Sequence, residues 1–222
     1  MDKKIKTVGS FTHIPRTIPS IEQCDVVEIR LDAEFCESSL NSFIQQCGLP
    51  KLITARDINE GAVRDLSLQE RISLLEQYAP IAQYLDVELR NWSQYTEFLE
   101  SIRNSDTAII ASYHDFTKTP SADELASLVE EAKAADPDII KFAFMIERLE
   151  DIQRCQQVLF DNPDLTISIM GMGAYAPVSR IILAQSGSVL NYGFLGEEPT
   201  APGQWSAQQL KAAIQVSAPV SQ

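Results

Sequence analysis

Short apolar runs alternate with amphipathic stretches along the whole chain. The apolar runs have the length and composition of buried strands and recur roughly every 26 residues, which is the period of a strand-helix unit. Between them, apolar residues return with the spacing of one helix face. The predicted strands are Lys6–Phe11, Val26–Asp32, Lys51–Arg56, Tyr84–Leu89, Ala108–His114, Ile139–Met145, Leu165–Gly171 and Ser188–Phe194.

The predicted helices lie between these strands. Ser67 and Ser121 stand where a capping residue is expected, and Glu124 follows Ser121 at the spacing of a capping box. The first unit offers only a short helix over Pro19–Cys24, and Cys36 and Cys47 flank or lie in a helix-like segment further on. The other predicted helices are Leu68–Ala82, Trp92–Ile102, Ala122–Ala135, Ile146–Phe160 and Ser206–Gln215.

Eight strand-helix repeats favour one α/β domain, a closed (βα)8 TIM barrel, over an open doubly wound sheet. The chain has 222 residues, 45% of them apolar, which suffices for a barrel core. Neither GxGxxG nor GxxxxGK[ST] occurs, so nucleotide binding has no support.

Charge narrows the choice of ligand. The net charge of −13 argues against nucleic acid as a partner, and an anionic substrate would have to be held by local arginines. No signal peptide and no membrane-length apolar run is present, which predicts a cytoplasmic protein. Cys24, Cys36, Cys47 and Cys155 lack metal spacing and are expected to be reduced packing residues.

One lysine interrupts the most apolar strand. Lys141 lies in the middle of Ile139–Met145, where an unpaired cation is costly to bury. An amine that gives up its proton in such a place is a nucleophile toward ketones. His114 ends the preceding strand, and in a barrel of this kind the carboxyl ends of the strands build the active site. The pattern therefore predicts a Schiff-base lysine with a histidine beside it.

Other polar residues that break apolar runs collect at the same end of the predicted barrel. Glu28 and Arg30 alternate on the second strand and so face the same side. Arg180 follows Ser179 at a predicted helix start, where an anion is favoured. The remaining members of this group are Ser10, Arg56, Glu60 and Gln204, and the apolar Met170 and Met172 lie at the same end of the barrel.

The order and spacing of these residues resemble type I 3-dehydroquinate dehydratase, the Schiff-base enzyme of the shikimate pathway. The matching motifs span almost the whole chain. They are Glu28-Ile29-Arg30-Leu31-Asp32, Thr54-Ala55-Arg56 with Glu60-Gly61, Ser112-Tyr113-His114-Asp115-Phe116 with Thr119-Pro120, Ile140-Lys141, Met170-Gly171-Met172 with Ser179-Arg180, and Ala201-Pro202-Gly203-Gln204.

The resemblance implies a lyase that dehydrates 3-dehydroquinate to 3-dehydroshikimate without metal or organic cofactor. It implies that Lys141 condenses with the ketone, that His114 is the general acid and base, and that Glu60 positions or assists His114. Arg180 would grip the substrate carboxylate. Groups expected to bind the ring hydroxyls and brace the site are Ser10, Glu28, Arg30, Arg56, Thr200 and Gln204, with Met170 and Met172 as pocket packing.

The chain departs from the family pattern at a few positions. Ala62 replaces the usual second glycine after Glu60, and Thr200 stands where serine is common. A short N-terminal segment suggests that a hairpin plugging the barrel bottom is missing. Residues 1–215 are the expected catalytic domain, and 216–222 are read as a tail or a linker toward a fused shikimate dehydrogenase.

Several points stay open at this level. A homodimer is compatible with the sequence, as is a lid formed by the loop Gly196–Trp205. Glu88 is assigned a structural role, and Arg56 has two candidate partners for a structural pair, Glu28 and Glu88. The alternatives to the dehydratase are another class I aldolase-type barrel and a catalytically silent binding barrel.

Overall fold

The computed structural model describes residues 4–103, 105–201 and 203–218. The described part contains eight strands and seven α-helices. The strands are β1 (Lys6–Phe11), β2 (Val26–Arg30), β3 (Lys51–Thr54), β4 (Tyr84–Glu88), β5 (Ala108–Asp115), β6 (Ile139–Met145), β7 (Ile167–Met172) and β8 (Leu190–Phe194). The helices are α1 (Glu37–Gln46), α2 (Leu68–Tyr78), α3 (Thr96–Ile102), α4 (Ala122–Ala134), α5 (Leu149–Asp161), α6 (Ala176–Gln185) and α7 (Ala207–Val216).

All eight strands form one sheet in the order β7-β6-β5-β4-β3-β2-β1-β8, and every pairing is parallel. This confirms the predicted (βα)8 barrel and excludes the doubly wound sheet. In the described part of the chain β1 begins two residues after the first described residue, so no hairpin precedes it there.

Serine side chains close the barrel between β7 and β8. Ser168 Oγ donates to Leu190 O at 2.7 Å and accepts from Leu190 N at 2.8 Å, in place of a regular backbone ladder. Ser188 Oγ accepts in the same way from Ile169 N at 3.0 Å. Two hydroxyls therefore bridge β7 and β8 where the barrel closes.

The first unit differs from its prediction. Pro19–Cys24 is not a helix but a single turn, in which Gln23 N and Cys24 N both donate to Ser20 O. The helix of this part of the chain is α1, which begins after Cys36 and follows β2. Cys36 is exposed, so the expectation that it packs in the core is wrong; Cys24, Cys47 and Cys155 are buried, and all four thiols are free.

Helix ends follow the local sequence closely. Ser67 with Glu70, and Ser121 with Glu124, form capping boxes at the starts of α2 and α4. Two predicted helices are part 3-10: α2 gives way to a 3-10 turn at Ala79–Ile81, which contains a proline, and α3 is preceded by one over Leu89–Tyr95.

The core has an outer and an inner layer. The outer layer packs the helices on the sheet, and the inner layer fills the barrel. Inward positions alternate along each strand: on β1, Val8 is followed by Ser10, and on β4, Tyr84 is followed by Asp86 and Glu88. The barrel interior thus changes from apolar to polar toward the carboxyl ends of the strands.

No helix in the described residues has both the length and the apolar character that a membrane crossing requires.

Candidate active site

A pocket opens at the carboxyl ends of the strands, where the sequence predicted the site. All twelve predicted site residues line it. These are Ser10, Glu28, Arg30, Arg56, Glu60, His114, Lys141, Met170, Met172, Arg180, Thr200 and Gln204. The sequence analysis missed further lining residues, among them Phe116 and Tyr192.

Lys141 lies at the wall of this pocket on β6 and is only 3% exposed. Its Nζ donates to Asp86 Oδ2 at 2.7 Å and lies 3.9 Å from Glu28 Oε1. The amine also sits over the ring of Tyr192, 4.2 Å from its centroid. The expectation of an unpaired amine is therefore wrong, because two buried carboxylates and an aromatic face surround the nitrogen.

Arg56 is the centre of the charge network next to Lys141. Its guanidinium contacts Asp86 Oδ1 at 2.9 Å and Glu88 Oε1 at 3.0 Å. A third bond runs to Ser112 Oγ at 2.7 Å, and Ser112 in turn donates to Asp86 Oδ1 at 2.6 Å. Of the two partners suggested by the sequence, the structure selects Glu88 over Glu28.

Burial and the neighbouring charges shift the pKa values of the two carboxyl groups in this network, Asp86 and Glu88, in opposite directions. Burial acts to raise the pKa of Asp86, but Arg56 and Lys141 outweigh it and hold that pKa far below its usual range. Burial raises the pKa of Glu88, which lies beside Asp86 and is only partly compensated by Arg56. Asp86 is thus the fixed negative charge beside the lysine.

Glu60 and His114 form a second pair at the mouth. Glu60 Oε2 lies 2.8 Å from His114 Nδ1 and accepts from His114 N at 3.0 Å. Burial, followed by the cations Arg56 and Lys141, holds the pKa of His114 well below its usual value, so the ring is neutral near pH 7. Burial raises the pKa of Glu60 to about 8, against the opposing effect of Arg56.

Arg180 is a buried cation of a different kind. Its NH1 donates to the backbone oxygen of Tyr192, while its Nε has no hydrogen-bond partner in the described residues. Burial alone lowers the pKa of Arg180 to about 10, since no carboxylate offsets it. The helix start predicted at Ser179 is wrong: α6 begins at Ala176, and Ser179 Oγ donates back to Ala176 O within the first turn.

The remaining predicted groups ring the pocket and are partly held by one another. Arg30 makes a two-point contact with Asp32 at 2.8 Å and donates to Gly61 O at 2.9 Å. Gln204 Oε1 accepts from both Thr200 N and Thr200 Oγ1 at 2.8 Å.

Two hydroxyls on β1 and β3 complete this ring. Thr54 Oγ1 donates to Glu28 Oε1 at 2.9 Å, and Ser10 Oγ is buried with no partner in the described residues. Met170 and Met172 are buried, as expected for packing residues. In residues 4–103, 105–201 and 203–218, no cluster of three or more His, Cys, Asp or Glu side chains has the arrangement of a metal site.

The sequence reasoning missed the two groups in closest contact with the lysine. Asp86 alternates with Tyr84 and Glu88 on β4, so the inward spacing was a usable signal. Tyr192 is one aromatic residue within an apolar run and carries no such signal. Its hydroxyl is buried without a partner in the described residues, and burial raises its pKa well above the usual value.

The fold and the pocket together define the class: a (βα)8 barrel with an enclosed lysine and a neutral histidine at its mouth, the arrangement of Schiff-base enzymes. The sequence profile of a family described as Type I 3-dehydroquinase matches residues 7–219. The chain belongs to this family, which confirms the resemblance.

Individual relatives agree with this assignment. The chain is 33% identical over 216 residues to a 3-dehydroquinate dehydratase of Methanocaldococcus jannaschii, covering 95% of this chain and 91% of the relative. A crystal structure of 3-dehydroquinate dehydratase from Geobacillus kaustophilus superposes with a TM-score of 0.83 at 20% identity, over 96% and 91% of the two chains.

A second solved structure is the dehydroquinate dehydratase and shikimate dehydrogenase from S. pombe AroM. It superposes with a TM-score of 0.78 at 23% identity, and the match covers 99% of this chain but 46% of that one. At these sequence identities the two structures show a shared fold and nothing further.

Proposed function

We propose that this protein dehydrates 3-dehydroquinate to 3-dehydroshikimate through a Schiff base on Lys141. Membership of the type I 3-dehydroquinase family gives the reaction. The observation that carries the assignment of residues is the position of Lys141, which is buried and lines the same pocket as His114 and Arg180.

The first half of the reaction forms the iminium. The amine nitrogen of Lys141 attacks the ketone carbon and gives a carbinolamine, which loses water to leave a C=N⁺ bond. Attack requires that the ammonium first give up a proton, and neutral His114 is the base available in the pocket. The iminium then carries the positive charge at nearly the position that the ammonium held.

Asp86 suits both states of that nitrogen. A carboxylate 2.7 Å from Nζ stabilises a cation there, whether ammonium or iminium. The tyrosine face at 4.2 Å acts in the same direction. The role of Asp86 is therefore to keep the intermediate charged while it draws electrons from the neighbouring carbon.

The second half of the reaction removes water. His114 takes the C2 proton, the electron pair moves toward the iminium, and the ring hydroxyl leaves with a proton from the same imidazole. Hydrolysis of the iminium then frees the product and restores Lys141. The overall change is the loss of one water molecule, with no change of oxidation state.

Arg180 is assigned to the substrate carboxylate. A buried guanidinium that lacks a protein anion gains most from one supplied by a ligand, and its planar fork fits a carboxylate. Ser10, Glu28, Arg30, Thr200 and Gln204 line the rest of the pocket and are assigned to the ring hydroxyls. Arg56 braces the site through the carboxylates it already contacts.

The test combines an ultraviolet assay for the conjugated enone with trapping of the imine. Wild type should form product from 3-dehydroquinate, and borohydride with substrate should add the mass of the reduced ligand. Lys141→Ala should do neither, whereas Lys133→Ala, which changes an exposed lysine on α4, should behave as wild type. A reduced adduct in Lys141→Ala would refute the nucleophile, and an inactive wild type would refute the reaction.

Four further expectations concern the oligomeric state, a fused domain, the cellular location and the closure of a loop. A homodimer, fusion to shikimate dehydrogenase, a cytoplasmic location and closure of the loop Gly196–Trp205 stay predictions. The fused arrangement is supported by the S. pombe structure, which is named for both activities.

A further inference from the structure

The pair formed by Glu60 and His114 can exist in two arrangements of one proton. If Glu60 is a carboxylate, it accepts a hydrogen bond from protonated Nδ1 of His114, and the unprotonated Nε2 faces the pocket. If Glu60 is a carboxylic acid, it donates to Nδ1, and Nε2 carries the proton instead. Only the first arrangement gives a base on the pocket side.

Burial favours the second arrangement, because it favours the neutral carboxylic acid form of Glu60. Glu60 is 3% exposed, and burial, with a further contribution from Glu88, raises its pKa to about 8 even though Arg56 and Arg90 act in the opposite direction. A site that runs near neutral pH therefore needs cations beside Glu60. Arg56 is one of them, but it is already engaged by the carboxylates of Asp86 and Glu88.

Arg90 is the other cation, and the proposed reaction leaves it without a role. It lies just beyond β4, and its Nε is 3.2 Å from Glu60 Oε1. That oxygen has no directed hydrogen bond in the described residues, so the contact is an ion pair at the carboxylate end facing away from His114. The Arg90 side chain is 48% exposed, while that of Glu60 is 1% exposed.

A tyrosine fixes the direction of Arg90. The guanidinium carbon lies 4.2 Å over the ring of Tyr113, which immediately precedes His114 on β5. Cation–π contact with Tyr113 and an ion pair with Glu60 hold a flexible side chain in one place at the rim. Arg90 is thus attached to the same strand that carries the histidine.

We propose that Arg90 is a positioning residue that favours the ionised form of Glu60 and, with it, the tautomer of His114 that has a free Nε2. This inference rests on the proposed function, because it concerns which proton arrangement the dehydration needs. Arg90 acts through Glu60 and does not touch the substrate.

The sign of the pH effect follows from the charges around Glu60. Arg90 favours the ionised form, so removing it raises the pKa of Glu60 and moves the acid limb of kcat/KM to higher pH. Loss of the same cation raises the pKa of His114, which acts in the same direction. The charged and titratable groups facing this pair are Arg30 from β2, Arg56 just after β3, Asp86 and Glu88 from β4, Arg90 just after β4, Tyr113 from β5 and Lys141 from β6.

The first experiment is a pH profile of kcat/KM for Arg90→Gln. The acid limb should move up by about 0.5 pH unit, a shift of the size expected for the loss of one half-exposed ion pair. Activity below the limb should fall about three-fold, with little change on the plateau. Arg90→Lys should restore part of the shift.

Two matched controls separate this effect from a general loss of charge. Arg103→Gln removes another half-exposed arginine, whose partner is Asp136 at 3.1 Å, and should leave the limb in place. In a Glu60→Gln background the side chain at position 60 no longer titrates. Arg90→Gln should therefore move the acid limb by less than it does in the wild-type background.

The second experiment reads the tautomer directly. The chain has only two histidines, His13 and His114, so ¹⁵N-labelled histidine gives two ring spectra, and His13→Gln assigns them. Near the midpoint of the acid limb, the fraction of His114 protonated at Nδ1 should be larger in wild type than in Arg90→Gln, in which the population shifts toward Nε2 protonation.

An unchanged tautomer together with an unmoved acid limb in Arg90→Gln would overturn the inference while wild type remains active. A wild type that forms no enone would instead refute the reaction itself. The two failures are therefore distinguishable.

Discussion

The two sides of the pocket differ in how their buried polar groups are satisfied. On the side built by β3 to β6, Arg56 and Lys141 both contact Asp86, and Ser112 bonds to Arg56 and to Asp86. On the side built by α6, β8 and β1, Arg180 Nε, Tyr192 OH and Ser10 Oγ are buried with no partner in the described residues. Glu60 Oε1 and Glu88 Oε2 on the first side also lack a hydrogen bond there, but the other oxygen of each of these carboxylates is bonded.

The difference separates two tasks. The paired side has its geometry fixed by the protein, as a site for forming an iminium requires. The unpaired side contains buried polar groups that lack hydrogen-bond partners in the protein, which costs free energy. Such groups discriminate strongly in favour of a ligand that supplies the missing hydrogen bonds. Chemistry is thus preorganised on one side, and recognition is left to complementary groups on the other.

The largest expected effect tests the paired side. Arg56→Met should lower the free energy of unfolding by about 3 kcal/mol or more, because it leaves Asp86 with Lys141 alone and Glu88 without its cation. Denaturant unfolding at pH 7 measures this loss. Arg103→Met removes an exposed pair and should cost less than about 1 kcal/mol. Similar losses in the two variants would show that the network does not hold the fold.

Arg180→Met tests the unpaired side and should separate stability from activity. kcat/KM should fall by about 100-fold, since a charge-assisted contact with the substrate carboxylate is lost. The free energy of unfolding should stay constant or rise by about 1 kcal/mol, because an uncompensated buried cation becomes an apolar chain of similar size. Loss of stability as large as that of Arg56→Met would place Arg180 among the structural charges.

The sequence predicted the barrel because its signal is periodic. Strands recur at the spacing of a βα unit, and the carboxyl-end rule then brings together residues as distant as Ser10 and Gln204. It failed at Pro19–Cys24, where one turn of apolar and polar residues satisfies the same local pattern as a short helix. The closure of β7 on β8 through Ser168 was also out of reach, since a buried serine has no distinctive pattern.

The sequence predicted which residues line the site better than it predicted which of them contact each other. Lys141 and Asp86 are 55 positions apart, and their contact depends on the register of β4, β5 and β6. A one-residue slip would turn either side chain to the other face. The motif that suggested the lysine therefore gave no information on its counter-ion, and the idea of an unpaired amine followed from that gap.

The smallest expected effect concerns the tyrosine beneath the lysine. Tyr192→Phe keeps the ring that lies 4.2 Å from Lys141 Nζ and removes a buried hydroxyl that bonds to no described group. The free energy of unfolding should therefore rise, by less than about 1 kcal/mol, and kcat should change little. Tyr192→Leu removes the ring as well, so kcat should fall because the iminium loses its aromatic neighbour. If the phenylalanine variant loses as much kcat as the leucine variant, the hydroxyl and not the ring supports the iminium.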